Sequence, residues 1–126
     1  MVKGIHHISM RTNTPEEFQR VKDFYVNVIG LTVKREWNGA CMIDTGAGLL
    51  EIMGNGENLR HPGTVTHFAL ATDDVDGIIE KVKAAGYTVT RGPVDIALPS
   101  DPPLPARIAF IEGPLGESIE LFDEKE

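Results

Sequence analysis

The sequence predicts an α+β fold made of two tandem modules, and three observations carry that prediction. One string of signals occurs twice in the same order. Helical and strand periodicities follow one another within each copy. Histidine and glutamate recur at matching places in both copies. The first copy opens on Ile5-His6-His7-Ile8-Ser9-Met10-Arg11, passes through a helix to Gly30-Leu31-Thr32-Val33-Lys34-Arg35, and closes on Leu49-Leu50-Glu51-Ile52. The second opens on Val65-Thr66-His67-Phe68-Ala69-Leu70-Ala71, passes through a helix to Gly86-Tyr87-Thr88-Val89-Thr90-Arg91, and closes on Ser118-Ile119-Glu120-Leu121. Module one is expected over about residues 1–60 and module two over about 63–126, together one domain of 126 residues.

Each element has its own justification. In the first strand, alternation puts Ile5, His7, Ser9 and Arg11 on one face and Ile8 and Met10 on the other. The first helix starts with Thr14 as cap, Pro15 in the first turn and Glu17 three residues on, as in a capping box. Phe18, Val21, Phe24, Tyr25 and Val28 give it one apolar stripe, and Gly30 stops it. In the strand around Glu51, Leu49, Glu51, Met53 and Asn55 share a face. In the strand from Thr66, His67, Ala69 and Ala71 share one, with Phe68 and Leu70 opposite. The second helix starts near Asp74, carries Val75, Ile78, Ile79, Val82 and Ala85, and ends at Gly86. Arg107 to Ile111 reads as a strand before the Gly113-Pro114-Leu115-Gly116 turn. In the last strand Ser118, Glu120 and Phe122 face away from Ile119 and Leu121. Residues 92–105 hold five of the eight prolines and are expected to form a loop, since proline removes ladder donors. That loop reads either as a rigid connector or as a lid or wall beside a site.

Composition narrows the function. Hydrophobic residues make up 41% and charged residues 25%, a globular balance. The net charge of −7 disfavours nucleic-acid binding, which usually needs a basic face. The longest apolar runs are too short for a membrane span, and the N-terminus has no apolar signal core. A single cysteine, Cys41, excludes an internal disulfide framework and a cysteine-only metal site, so a cytoplasmic protein is expected.

His7, Glu51, His67 and Glu120 form a candidate metal set. Two imidazoles and two carboxylates suit a divalent first-row ion with positions left for water. They stand at corresponding places in both copies, on the faces opposite the helix-covered ones. Two carboxylates buried without a cation would be costly. His6 competes with His7 but lies on the opposite face by alternation. His61, beside Pro62, reads as a solvated loop histidine or a substrate contact. Cys41 reads as a small buried residue.

With these residues in place, the chain resembles the vicinal oxygen chelate superfamily, and within it glyoxalase I (lactoylglutathione lyase). The resemblance runs almost the whole length. It rests on the segments above, on Asp23-Phe24-Tyr25-Val26-Asn27-Val28-Ile29-Gly30-Leu31, and on residues 108–121, Ile-Ala-Phe-Ile-Glu-Gly-Pro-Leu-Gly-Glu-Ser-Ile-Glu-Leu. It implies two βαβββ modules forming a cupped sheet around one divalent metal ion, with nickel, cobalt or zinc foremost. It also implies a homodimer whose sites combine halves of one chain or of two. The family's ligand set falls on His7, Glu51, His67 and Glu120. Its glutathione-holding Arg and Asn fall on Arg11 and Asn55, which read equally well as a surface arginine and a turn asparagine. The family's longer segment between Val33 and Glu51 is missing, the first helix is a few residues longer, and the proline-rich loop replaces a glycine-containing one.

The resemblance further implies the hemithioacetal of a 2-oxoaldehyde such as methylglyoxal with glutathione, or another small thiol, as substrate. The product would be a 2-hydroxyacyl thioester reached through an enediolate. Glu120 would be the principal base and Glu51 its counterpart. A methylmalonyl-CoA epimerase-like enzyme is the nearest alternative, although Glu36-Trp37-Asn38-Gly39 stands where its usual Glu-Gln-Gly stretch is expected. A three-ligand dioxygenase or thiol transferase fits less well with Glu51 present. Drug sequestration without metal remains a non-catalytic alternative for this fold.

Overall fold

The computed structural model describes residues 1, 3, 5–54 and 67–125. The chain divides into two compact units, Met1–Arg60 and His61–Glu126. Both have the same architecture, as the repeated sequence requires.

In unit 1, β1 (His7–Arg11), α1 (Pro15–Asp23), β2 (Thr32–Trp37), β3 (Ala40–Asp44) and β4 (Leu49–Met53) build a four-stranded sheet in the order β1-β4-β3-β2. β1 runs parallel to β4, and the other pairs are antiparallel. Thr14 caps α1 by accepting from the Glu17 N–H at 3.1 Å. The Glu17 carboxylate in turn accepts from the Asn13 N–H, one residue before the expected capping-box partner. Beyond Asp23 the helix widens into a π turn over Phe24–Val28, where the Ile29 N–H donates to the Phe24 carbonyl at 3.0 Å. The sequence predicted one continuous helix here. The wider turn buries consecutive aromatics, Phe24 and Tyr25, whose rings meet edge to face 5.0 Å apart. Gly30, at φ 91°, ends the segment as expected. Val21 joins Phe24 and Tyr25 in the core, with Leu50 and Ile52 of β4 and Cys41 and Ile43 of β3.

β3 is the strand that the βαβββ resemblance implies, although its position was not read from the residues. Asn38-Gly39 closes the β2–β3 hairpin, a two-residue pair that accepts the backbone such tight turns demand. Gly54 follows β4 against this turn. Its N–H donates to the Gly39 carbonyl at 2.7 Å, and an added Cβ would meet the same oxygen at 2.4 Å.

In unit 2, β5 (Phe68–Ala71), α2 (Val75–Ala84), β6 (Val89–Leu98), β7 (Leu104–Glu112) and β8 (Ser118–Glu124) give the sheet order β5-β8-β7-β6, with β5 parallel to β8. Asp74 caps α2 through the Gly77 N–H. Val75, Ile79 and Val82 pack with Ile119 and Leu121 of β8 and Ala109 and Ile111 of β7 in the core.

Residues 92–105, expected as a loop, are mostly strand. Residues up to Leu98 belong to β6, and β7 begins at Leu104, so only 99–103 lie outside the hairpin strands. Pro99, Pro102 and Pro103 fall in that short connection, and Pro93 is tolerated in β6 because β6 lies at the edge of the sheet among the described residues. Pro93 falls in an irregular stretch between Arg91 and Val94, and Pro105 stands at the start of β7.

Candidate metal centre

Strand alternation creates two open sheet faces, one in each unit. In β1, Ile8 and Met10 are the more buried residues, so His7, Ser9 and Arg11 point away from the helix. In β4, Leu50 and Ile52 enter the core and Glu51 turns to the open face. In β8, Ile119 and Leu121 do the same and leave Glu120 opposite.

The registers of the two units coincide. Glu51 pairs with Ser9 across the parallel β1–β4 ladder, two residues after His7. Glu120 pairs with Ala69 across the β5–β8 ladder, two residues after His67. Each unit thereby brings one histidine to one glutamate. His7 Nε2 lies 3.9 Å from Glu51 Oε1, and His67 Nε2 lies 3.3 Å from Glu120 Oε1. The glutamate side chains are only 17% and 12% exposed, while both histidines are 38% exposed. Each carboxylate is thus largely withdrawn from water while its imidazole reaches it.

These pairs fit a metal. Two ligands about 2.0–2.2 Å from one ion stand roughly 3.0–3.5 Å from each other. The observed separations lie within a few tenths of an ångström of that range. Imidazole and carboxylate together are a common donor set for first-row divalent ions. Among the described residues, no group of three or more His, Cys, Asp or Glu side chains forms a ready-made ion site. Each unit holds one histidine–glutamate pair of its own.

The other site expectations fare differently. Arg11 stands exposed at the end of β1, on the His7 face and paired with Met53. Asn55 and His61 lie outside the described residues. His6 precedes β1, so strand alternation does not separate it from His7. Its Nδ1 sits 2.9 Å from His7 Nδ1. Cys41 is fully buried in β3, and burial pushes its thiol up to about 11.

The repeat contained a signal that sequence reasoning left unused. Its aligned segments end in Arg35 and Arg91. In both units a register irregularity just before the arginine sets it opposite an open-face residue, Met42 or Phe110. Those residues pair in turn with Glu51 and Glu120. Each glutamate therefore has an arginine in its cross-strand row, two strands and about 10 Å away. Phe110 also meets the His67 ring edge to face, 5.2 Å between centroids.

A duplicated βαβββ unit, each copy with a histidine–glutamate pair on its open face, is an α+β arrangement shared with glyoxalase-family structures. Residues 4–121 match the family model of the Glyoxalase/Bleomycin resistance protein/Dioxygenase superfamily, and the chain belongs to that family. Members of the superfamily commonly use a divalent metal. A lactoylglutathione lyase of Escherichia coli O157:H7 is 32% identical over 124 residues, covering 87% of each chain. Among solved structures, a glyoxalase/dioxygenase from Nostoc punctiforme superposes with a TM-score of 0.74 at 17% identity, over 98% of this chain and 92% of that one. TnmS3, an antibiotic binding protein from Streptomyces sp. CB03234, superposes with a TM-score of 0.73 at 22% identity, over 98% of both chains. No helix among the described residues is long and apolar enough to cross a membrane.

Proposed function

We propose that the protein is a cytoplasmic, metal-dependent lyase of the glyoxalase I type. It would isomerise the hemithioacetal of a 2-oxoaldehyde and a small thiol, glutathione foremost, to a 2-hydroxyacyl thioester. The observation that carries this reading is the pair of His–Glu contacts, His7–Glu51 and His67–Glu120, at ligand-sharing separations in both units. The similarity to a lactoylglutathione lyase supports the choice of reaction within the superfamily. The four side chains would hold one divalent ion, nickel, cobalt or zinc, at a site completed within one chain or by the second chain of a homodimer.

When bound, such an ion supplies Lewis-acid polarisation of the substrate's two adjacent oxygens. The remaining steps belong to this chain. Glu120 accepts the proton from C1 as that C–H bond breaks, and its electron pair moves toward C2. The proton returns to C2, and the hydroxyl proton on the C1 oxygen passes to the C2 oxygen. C1 ends as the thioester carbonyl and C2 as the carbinol, so the change is internal and needs no oxidant. Glu51 is the counterpart of Glu120 in the other half. Arg11 and Asn55 are assigned to the thiol moiety, where a guanidinium forks onto a carboxylate and a carboxamide meets peptide groups.

The test is a Glu120→Gln chain loaded with nickel or zinc and assayed spectrophotometrically with methylglyoxal and glutathione. Metal content is measured on the same sample. Turnover is expected to fall about 10²- to 10⁴-fold, the usual weight of a positioned general base. Unchanged turnover in a fully metal-loaded variant rejects Glu120 as the base. A parent protein that takes up no metal but binds an aromatic drug would point to sequestration instead.

A further inference from the structure

The two histidines of the proposed metal set have different supports. His67 rests against Phe110, which pairs with Glu120 in the sheet. At the matching place in unit 1 stands Met42, paired with Glu51, and its sulfur is 3.3 Å from Arg35 Nη1. No aromatic ring is available to His7 from that strand position. The contact comes instead from its chain neighbour. The His6 and His7 rings cross at 85° with centroids 5.2 Å apart and Nδ1 atoms 2.9 Å apart. His6 is itself anchored, because its carbonyl accepts from the Leu49 N–H of β4 at 3.1 Å.

Between two imidazole Nδ1 atoms at that distance, one must donate and the other accept. If His6 donates, His7 carries its proton on Nε2, the atom facing Glu51, and has no lone pair there. If His7 donates, its Nε2 lone pair is free toward Glu51. Only the second arrangement suits a ligand, and metal-binding histidines usually donate their remote N–H to a fixed acceptor. We propose that His6 is a positioning residue that accepts from His7 Nδ1–H and so locks His7 in the tautomer whose Nε2 can bind a cation. This rests on the metal reading above, but its first consequence shows in the metal-free chain.

The test uses the full-length, metal-free protein with ¹⁵N-labelled histidine at a pH where the rings are neutral. Long-range ¹H–¹⁵N spectra report which nitrogen of His7 carries the proton. The parent is expected to show His7 protonated on Nδ1. His6→Phe keeps a ring but removes the acceptor, and should return His7 to the Nε2–H form that free imidazole side chains prefer. His6→Asn restores a carbonyl acceptor and should recover the parent pattern. Zinc affinity, read by competition with a chromogenic chelator, should weaken about 10- to 100-fold in His6→Phe and largely recover in His6→Asn. Far-UV circular dichroism checks that the variants fold.

An Nε2–H tautomer in the parent overturns the inference even if zinc binds. The expected tautomer in a parent that binds no zinc supports the lock and removes the metal reading instead. Loss of zinc in His6→Phe with retention in His7→Ala makes His6 the ligand and overturns the positioning role.

Discussion

Leu50 and Ile52 flank Glu51, and Ile119 and Leu121 flank Glu120. In a strand those neighbours go into the core, so the carboxylate has only the open face left. That local rule made both glutamates readable without tertiary information. His7 followed from the same rule, but His6 did not. It sits outside β1, and its contact with His7 depends on where the chain enters the sheet. Cys41 was read as a small buried residue because no histidine spacing or helix start marks it as reactive, and it is buried in β3. Its thiol, raised to about 11 by burial, exists at pH 8 as roughly a thousandth thiolate. Native protein at pH 8 should therefore react with iodoacetamide at least a hundredfold more slowly than the same chain in concentrated guanidinium. Mass spectrometry over a time course reads this directly, and equal rates in the two conditions contradict the burial.

At the scale of elements, β6 shows why a proline count misled. The penalty for proline in a sheet depends on whether its missing N–H faces a partner strand, and among the described residues β6, which carries Pro93, has a partner strand on one side only. Gly92 sits in the same irregular stretch, at φ 77°, where an added Cβ would lie 2.6 Å from the Ile108 carbonyl oxygen. Gly46 has a similar φ of 93° with open space around it. Gly46→Ala should cost about 1 kcal/mol from backbone strain alone. Gly92→Ala adds the clash with β7 and should cost about 2–3 kcal/mol. Urea unfolding of both variants measures the difference. Equal losses would mean that β6 and β7 are not that close. The π turn after α1 was equally hidden, since Phe24 and Tyr25 fit a helical stripe well enough to look regular.

At the scale of the whole molecule, each unit covers one sheet face with one helix. In unit 2, Arg107 of β7 ties the layers together. Its guanidinium bonds Asp76 of α2 at 2.6 and 2.8 Å and Asp95 of β6 at 3.0 Å. The guanidinium holds the Asp76 carboxyl below its ordinary value of 3.8. A carboxyl with a depressed folded-state pKa adds stability above its unfolded-state pKa and loses it as the pH falls through the folded one. The gap in urea midpoint between the parent and Asp76→Asn should therefore hold steady from about pH 5 to 8 and close below about pH 4. A gap that widens on acidification contradicts the assignment. The effect is expected to be small, because both groups are open to solvent and screened.

By itself the sequence determined the duplication, the buried side of each strand and the open-face positions of His7, Glu51 and Glu120. These follow from periodicity, which acts between near neighbours and needs no knowledge of the fold. Only the tertiary structure decided that β6 is an edge able to carry proline, that Asn38-Gly39 turns into a further strand, and that Arg35 and Arg91 join the rows of the two glutamates. It also decided that His6 meets His7. Each of these depends on which strands become neighbours and in what register, and such pairings arise between residues distant in the chain, where local pattern carries no information.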